Sequence, residues 1–191
     1  LRRWQAAGLD VRLAVNLSAR LLSDRRLPEQ VISQLSNAGI APDKLALEIT
    51  ETMVLRDPAR AVATLGQLHA LGIGLSIDDF GTGYSSLAYL RELPLDEIKV
   101  DRRFVSRMAV DATDAVIVRS TVELGRSLQL RTVAEGVEDA GTLERLQRMR
   151  CDIAQGFHFS RPLPGDNLLT WARLHDQPTS VASASYSITA L

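Results

Sequence analysis

The run GIGLSID, Gly72 to Asp78, is apolar and ends on a carboxylate. A second carboxylate, Asp79, follows at once, and then the glycine-rich turn FGTGYSS, 80–86. Short apolar runs bounded by turn residues read as buried strands. Five further runs have the same form: RLAVNLS (12–18), KLALEIT (44–50), DEIKVD (96–101), RTVAEG (131–136) and DIAQGF (152–157). Each of the six carries a polar residue near its C-terminal end: Asn16, Glu48, Asp78, Lys99, Glu135 and Gln155.

Longer amphipathic segments separate the runs. In DPARAVATLGQLHALG the residues Val62, Leu65 and Leu68 fall at helical spacing, Pro58 suits a first turn and Gly72 can close the helix. ATDAVIVRSTVELGRSLQL places Ile117, Thr121, Leu124 and Leu128 on one face, and DAGTLERLQRMR and PGDNLLTWARLH supply two more helices. Strict strand–helix alternation predicts an α/β fold with parallel strands and right-handed crossovers. A doubly wound sheet gathers its ligand groups at one switch point, from a few strands. Here all six strands contribute, as the C-terminal rim of a TIM-like (β/α) barrel requires.

Six strands do not close the usual eight. At roughly 30 residues per βαβ unit, two missing units amount to about 60 residues. The opening LRRWQAAG, closed by Gly8, reads as the last turns of the helix ending the second. The expected layout is therefore a partial barrel over residues 1–175 and a flexible Ser/Ala/Thr-rich tail over 176–191.

The 191 residues, 46% hydrophobic, suffice for one sizeable core. A net charge of −1 argues against a general binder of nucleic-acid polymers or membrane surfaces, which needs a basic field. No apolar run approaches 18 residues, and a lone cysteine, Cys151, suits a reducing compartment, so the expected location is cytoplasmic.

The rim residues define the chemistry. Asn16, Glu48 and Asp78 offer hard oxygen donors that suit Mg²⁺ or Mn²⁺. Zinc would recruit His or Cys, and the three histidines, 69, 158 and 175, are not spaced as a ligand pair. Neighbouring strand residues face opposite ways, so Asp78 is expected to point inward and Asp79 to sit on the turn, re-aimed by the glycines. Two such carboxylates can hold two cations with one bridging, an arrangement that supports in-line attack on a phosphodiester. Lys99, one of only two lysines beside 20 arginines, is costly to bury unless paired with the rim carboxylates. Glu135 is either a metal ligand or a general base.

With these residues in place, the sequence resembles the EAL domain family of bacterial cyclic di-GMP phosphodiesterases. The matching segments are VNLS (15–18), LEITE (47–51), IDDFGTGYSSLAYL (77–90), IKVDRRFV (98–105), TVAEGVE (132–138) and AQGFHFSRPLP (154–164). The resemblance implies a (β/α)₈-type barrel in which Mg²⁺ or Mn²⁺ drives hydrolysis of cyclic di-GMP to linear pGpG. Asn16, Glu48 and Asp78 would hold the first metal, and Asp78 with Asp79 the second, with Glu135 nearby as ligand or base. Lys99 would contact the attacking water, Glu51 would hold the loop from Phe80 to Ser86 in its active shape, and Gln155 and Asp101 would line the site. Upstream sensory or GGDEF-type domains in the parent protein are also implied.

One departure stands out. The Glu-Ala-Leu motif that names the family, whose glutamate ligates the first metal, occurs nowhere in these residues. The alternative expectation is a catalytically inactive module that binds cyclic di-GMP or a protein. An open barrel leaves unpaired strand edges that favour a homodimer.

Overall fold

The computed structural model describes residues 1–82, 87–175 and 187–190. Six strands form where the apolar runs predict them: β1 Arg12–Asn16, β2 Leu45–Thr50, β3 Gly74–Phe80, β4 Glu97–Val100, β5 Arg131–Glu135 and β6 Ile153–Gln155. All pair in parallel, and their order in the sheet is their order in the sequence. A doubly wound sheet reverses its order at the switch point. This one never does, and the six strands form a half-barrel.

Strand alternation sorts the side chains. Leu47 pairs with Leu75 and Ile49 with Ile77, which in turn pairs with Ile98. All five are buried in one cluster with Leu65, Leu68 and Leu35. Their alternates Glu48, Ser76 and Lys99 occupy the opposite, concave face. The helix Pro58–Ala70 buries Ala61, Thr64, Leu65 and Leu68, spaced as one helical stripe, and the Asp57 side chain caps it. In the helix Ala112–Ser127 the fully buried stripe is Val118, Thr121, Val122 and Gly125, about one residue round from the predicted face. Gly125 explains the rotation. A Cβ there would overlap Thr132 Cγ2 and crowd Ile98, so the missing side chain lets the helix lie directly on β4 and β5. A second cluster, Val100, Ala134, Val118, Val137 and Leu146, closes the β4–β5 side.

The N-terminal strand ends are pinned by carboxylates. Leu75 N–H donates to Asp96 Oδ2 at 2.8 Å, and Thr132 donates to Asp152 Oδ2 through its backbone (2.7 Å) and its hydroxyl (2.8 Å). In a barrel that end serves stability, and the polar residues at the opposite end are left for chemistry.

A seventh strand falls inside the segment read as tail. Ser187–Ala190, β7, lies parallel to β1, with Arg12 opposite Ser187 and Val15 opposite Ala190. The β1 edge expected to stand open thus carries a strand, because its free N–H and C=O groups accept a passing backbone. Residues 176–186 lie outside the described set.

Candidate active site

The polar ends of β1 to β6 gather at one end of the sheet, and Lys99 is their centre. Its ammonium lies 2.8 Å from Glu48 Oε1, 3.2 Å from Asp78 Oδ1 and 2.6 Å from Glu135 Oε1. The Lys99 side chain is 3% exposed and that of Glu48 2%, against 15% for Asp78 and 20% for Glu135. Burial alone would drive the ammonium toward neutrality. The pull of Glu135, Asp78 and Glu48 overrides it and holds Lys99 above the ordinary lysine range. Burial pushes Glu135 up, and the nearby ammonium only partly offsets this. One cation thus ties β2, β3, β4 and β5 together, leaving an excess of negative charge at the rim.

Asp79 reaches the rim by a different route from the one its sequence suggests. It does not sit on the turn; β3 continues through it to Phe80. Ile77 pairs with Ile98 and Phe80 with Val100, so Asp78 and Asp79 together oppose Lys99 alone. This is a β-bulge, and Asp79 takes a left-handed conformation, φ +55°. The bulge breaks the alternation that would send Asp79 to the convex face. Asp78 Oδ1 accepts the Asp79 N–H at 3.0 Å, and the Asp79 carbonyl accepts the Thr82 hydroxyl at 2.9 Å. Thr82 thereby fastens the bulge. Gly81, φ +93°, supplies the bend that follows.

Asp79 and Asp101 flank the Phe80–Val100 pair on neighbouring strands and influence each other electrostatically. Burial, then repulsion from Asp78 and Asp101, raises the Asp79 carboxyl. For Asp101 burial is the largest effect and acts upward, yet the hydrogen bonds from Arg103 together outweigh it and lower the group. Asp101 ends β4 and caps the helix Arg102–Val105.

The remaining sequence candidates are placed as follows. Asn16 stands beside Glu48 in register, exposed at the open end of β1. Gln155 stands beside Glu135, its Oε1 buried without a hydrogen-bond partner. Glu51 opens the helix Glu51–Arg56, 7% exposed, and neither carboxylate oxygen has a hydrogen-bond partner among the described residues. It borders a small open cleft lined also by Val54, Ile77, Phe80, Tyr89 and Leu93. Most of the loop that Glu51 is expected to hold, residues 83–86, lies outside the described residues.

The donor set can be tested against a cation. Glu48 Oε2 is buried with no partner, a costly state that a bound cation relieves. Asn16, Glu48, Asp78 and Asp79 are all oxygen donors, which fits Mg²⁺ or Mn²⁺. Among the described residues no three His, Cys, Asp or Glu side chains are already grouped as a metal cage. Three carboxylates converge on the Lys99 ammonium instead.

Two features escaped the sequence. Arg103 grips Asp101 with two guanidinium nitrogens, at 3.1 and 2.9 Å. Past β6, the Arg161 guanidinium lies over the exposed Phe157 ring, 5.0 Å from its centroid. A signal for the first was present in Asp101-Arg102-Arg103, a strand-end aspartate two residues before an arginine.

The chain matches the EAL domain over residues 1–162. It is 46% identical over 170 residues to the bifunctional diguanylate cyclase/cyclic di-GMP phosphodiesterase MucR of Pseudomonas aeruginosa, covering 88% of this chain and 25% of that protein. It is 44% identical over 165 residues to the cyclic di-GMP phosphodiesterase NbdA of the same organism, covering 86% and 21%. The chain thus spans a quarter or less of the length of these curated relatives. Among solved structures, the MucR phosphodiesterase in its c-di-GMP complex superposes with a TM-score of 0.84 at 46% identity, covering 87% of this chain and 68% of that one. The EAL domain of Mycobacterium smegmatis DcpA superposes at 0.85 with 37% identity, covering 92% and 80%. Among the described residues no helix is long and apolar enough to cross a membrane.

Proposed function

The chain belongs to the EAL domain family, and from that premise we propose that its rim is the site of a cyclic di-GMP phosphodiesterase producing linear pGpG. The observation that carries this reading is the Lys99 centre with Glu48, Asp78 and Glu135 within 3.2 Å. An acidic rim has no use for a phosphodiester unless a cation is shared between them, and the unpartnered Glu48 oxygen faces that need.

Asn16, Glu48 and Asp78 would hold one Mg²⁺ or Mn²⁺, and Asp78 with Asp79 a second. When bound, such ions neutralise the scissile phosphate and acidify a water molecule. The chain's own residues do the rest. Lys99 Nζ orients the water and holds Glu135 in place through the 2.6 Å contact. Glu135, raised by burial, takes the proton from the attacking water at a carboxylate oxygen. A new P–O bond forms from the water, the bond to the ribose 3′ oxygen breaks, and that oxygen takes a proton from solvent. Asp101 and Gln155 line the substrate side, and Glu51 supports the loop beyond Phe80.

A second reading is favoured by one observation: three carboxylates are already engaged by the Lys99 ammonium. On that reading the segment binds cyclic di-GMP without turning it over. The test incubates the 191-residue chain, and the whole protein that carries it, with cyclic di-GMP and Mn²⁺, and separates the products by chromatography. Formation of pGpG by the whole protein supports the first reading. Bound but unchanged substrate in both samples supports the second and overturns the first. The chain alone is expected to be nearly inactive.

A further inference from the structure

Asp79 and Asp101 present a physical problem that the rim alone does not solve. The bulge sets Asp79 next to the Phe80–Val100 pair, and Asp101 follows Val100 at the end of β4, so two carboxylates that repel each other stand on neighbouring strand ends. The Asp79 backbone is fixed, through Asp78 Oδ1 and Thr82, and those contacts involve no atom of its carboxyl. Lys99 does not help, since its three partners are Glu48, Asp78 and Glu135.

Arg103 supplies the missing restraint. Its backbone N–H donates to Asp101 Oδ1 at 2.7 Å, while Nε and Nη2 donate to Oδ2 at 3.1 and 2.9 Å. One residue thus fixes both oxygens of Asp101. The carboxylate is 6% exposed and the arginine that grips it 67%, so the clamp is applied from the solvent side.

We propose that Arg103 is a positioning residue for the rim: its forked grip on Asp101 keeps Asp101 and Asp79 side by side, so that the pair presents a ready oxygen surface to a divalent cation. This rests on reading the rim as a cation site. The essential property is the planar fork, which sets orientation, rather than the positive charge, which by itself repels a cation. Lysine keeps the charge but offers a rotating point donor that cannot fix two oxygens. The two contributions therefore separate by substitution.

The test uses the 191-residue chain and Mn²⁺ alone, with no nucleotide, and follows free Mn²⁺ by electron paramagnetic resonance. Both R103K and R103Q are expected to weaken Mn²⁺ binding about 10-fold, the loss typical when a ligand's supporting partner is removed. Melting temperature is expected to stay within a few degrees, because the arginine is largely exposed. If R103K binds as the unaltered chain does while R103Q binds more tightly, Arg103 acts only as a charge and the proposal is overturned. Equal affinity in all three chains overturns it as well, and leaves the rim's cation reading standing. Absence of Mn²⁺ binding by the unaltered chain at millimolar concentration overturns both.

Discussion

Replacing Lys99 by methionine removes one ammonium and keeps nearly the same volume, so it isolates the electrostatic work of that group. Three carboxylates then share a space from which the one cation pairing with all three among the described residues has gone. Asp78 and Glu135 are partly exposed and can turn to water, but Glu48, 2% exposed, cannot. Its second oxygen already lacks a partner. Removing one member of a buried ion pair costs about 3–5 kcal/mol, since a charge is left buried and uncompensated. For a domain of this size each kcal/mol lowers the melting temperature by about 2–4 °C, so the variant should melt roughly 6–20 °C lower.

The loss should depend on pH in a stated direction. In the native protein Lys99 is held above its unfolded value, so its contribution is fully present below the unfolded pKa of about 10.4 and is lost only at strongly alkaline pH. In the variant, Glu135, whose carboxyl burial already raises, loses the ammonium that partly offsets it. Such a group carries no penalty below the unfolded value of about 4.3 and an increasing one as pH rises through the folded value. Urea denaturation followed by circular dichroism at pH 5 and pH 8 measures both effects. The variant should lie closer to the native protein at pH 5. A loss below about 1 kcal/mol at pH 8, or a loss equal at both pH values, would refute the reasoning.

Three more outcomes follow from individual contacts. Glu135→Gln should lower turnover by about 10²–10⁴ while cyclic di-GMP binding persists. In the native enzyme the acidic limb of the pH–rate profile should lie above the ordinary glutamate range, because the base must be ionised and burial raises it; unimpaired turnover in Glu135→Gln would remove it as the base. Gly156→Ala places a Cβ against the Val137 backbone, which cannot yield as a side chain could. Because Val137 N–H also donates to the Gln155 carbonyl at 3.0 Å, the β5–β6 junction should open, with a loss of at least 1–3 kcal/mol in thermal or urea unfolding. A chelator should stop turnover and Mn²⁺ restore it; activity that persists through exhaustive chelation would contradict the cation reading.

Much of this site was legible because strands impose a period of two and place their ends at a common rim. Six short runs with polar ends were enough to choose a barrel over a doubly wound sheet, and the sequential strand order bears that choice out. The burial of Lys99 among carboxylates followed from the cost of burying an ammonium alone, and three such partners are present. What alternation could not give was Asp79. A bulge breaks the period, and nothing in IDDFG says which of two adjacent aspartates carries the extra residue. The one-residue rotation of the helix Ala112–Ser127 escaped for a related reason: Gly125 fills no volume, so a hydrophobic pattern cannot register the close approach it permits. Pairing of β7 with β1 was invisible because Ser187–Ala190 has no marked periodicity and is held by backbone hydrogen bonding. The Arg103 clamp combines a local cap with a side-chain fork, and residue spacing signals only the cap.

The most direct test of the central claim is the initial rate of pGpG formation by the protein carrying this segment, with Mn²⁺, before and after Asp78→Asn. Asp78 touches Lys99, accepts the Asp79 N–H and is the donor proposed to serve both cations, so its loss should nearly abolish product while the fold survives. Formation of pGpG by the Asp78→Asn protein at the unaltered rate would contradict the account.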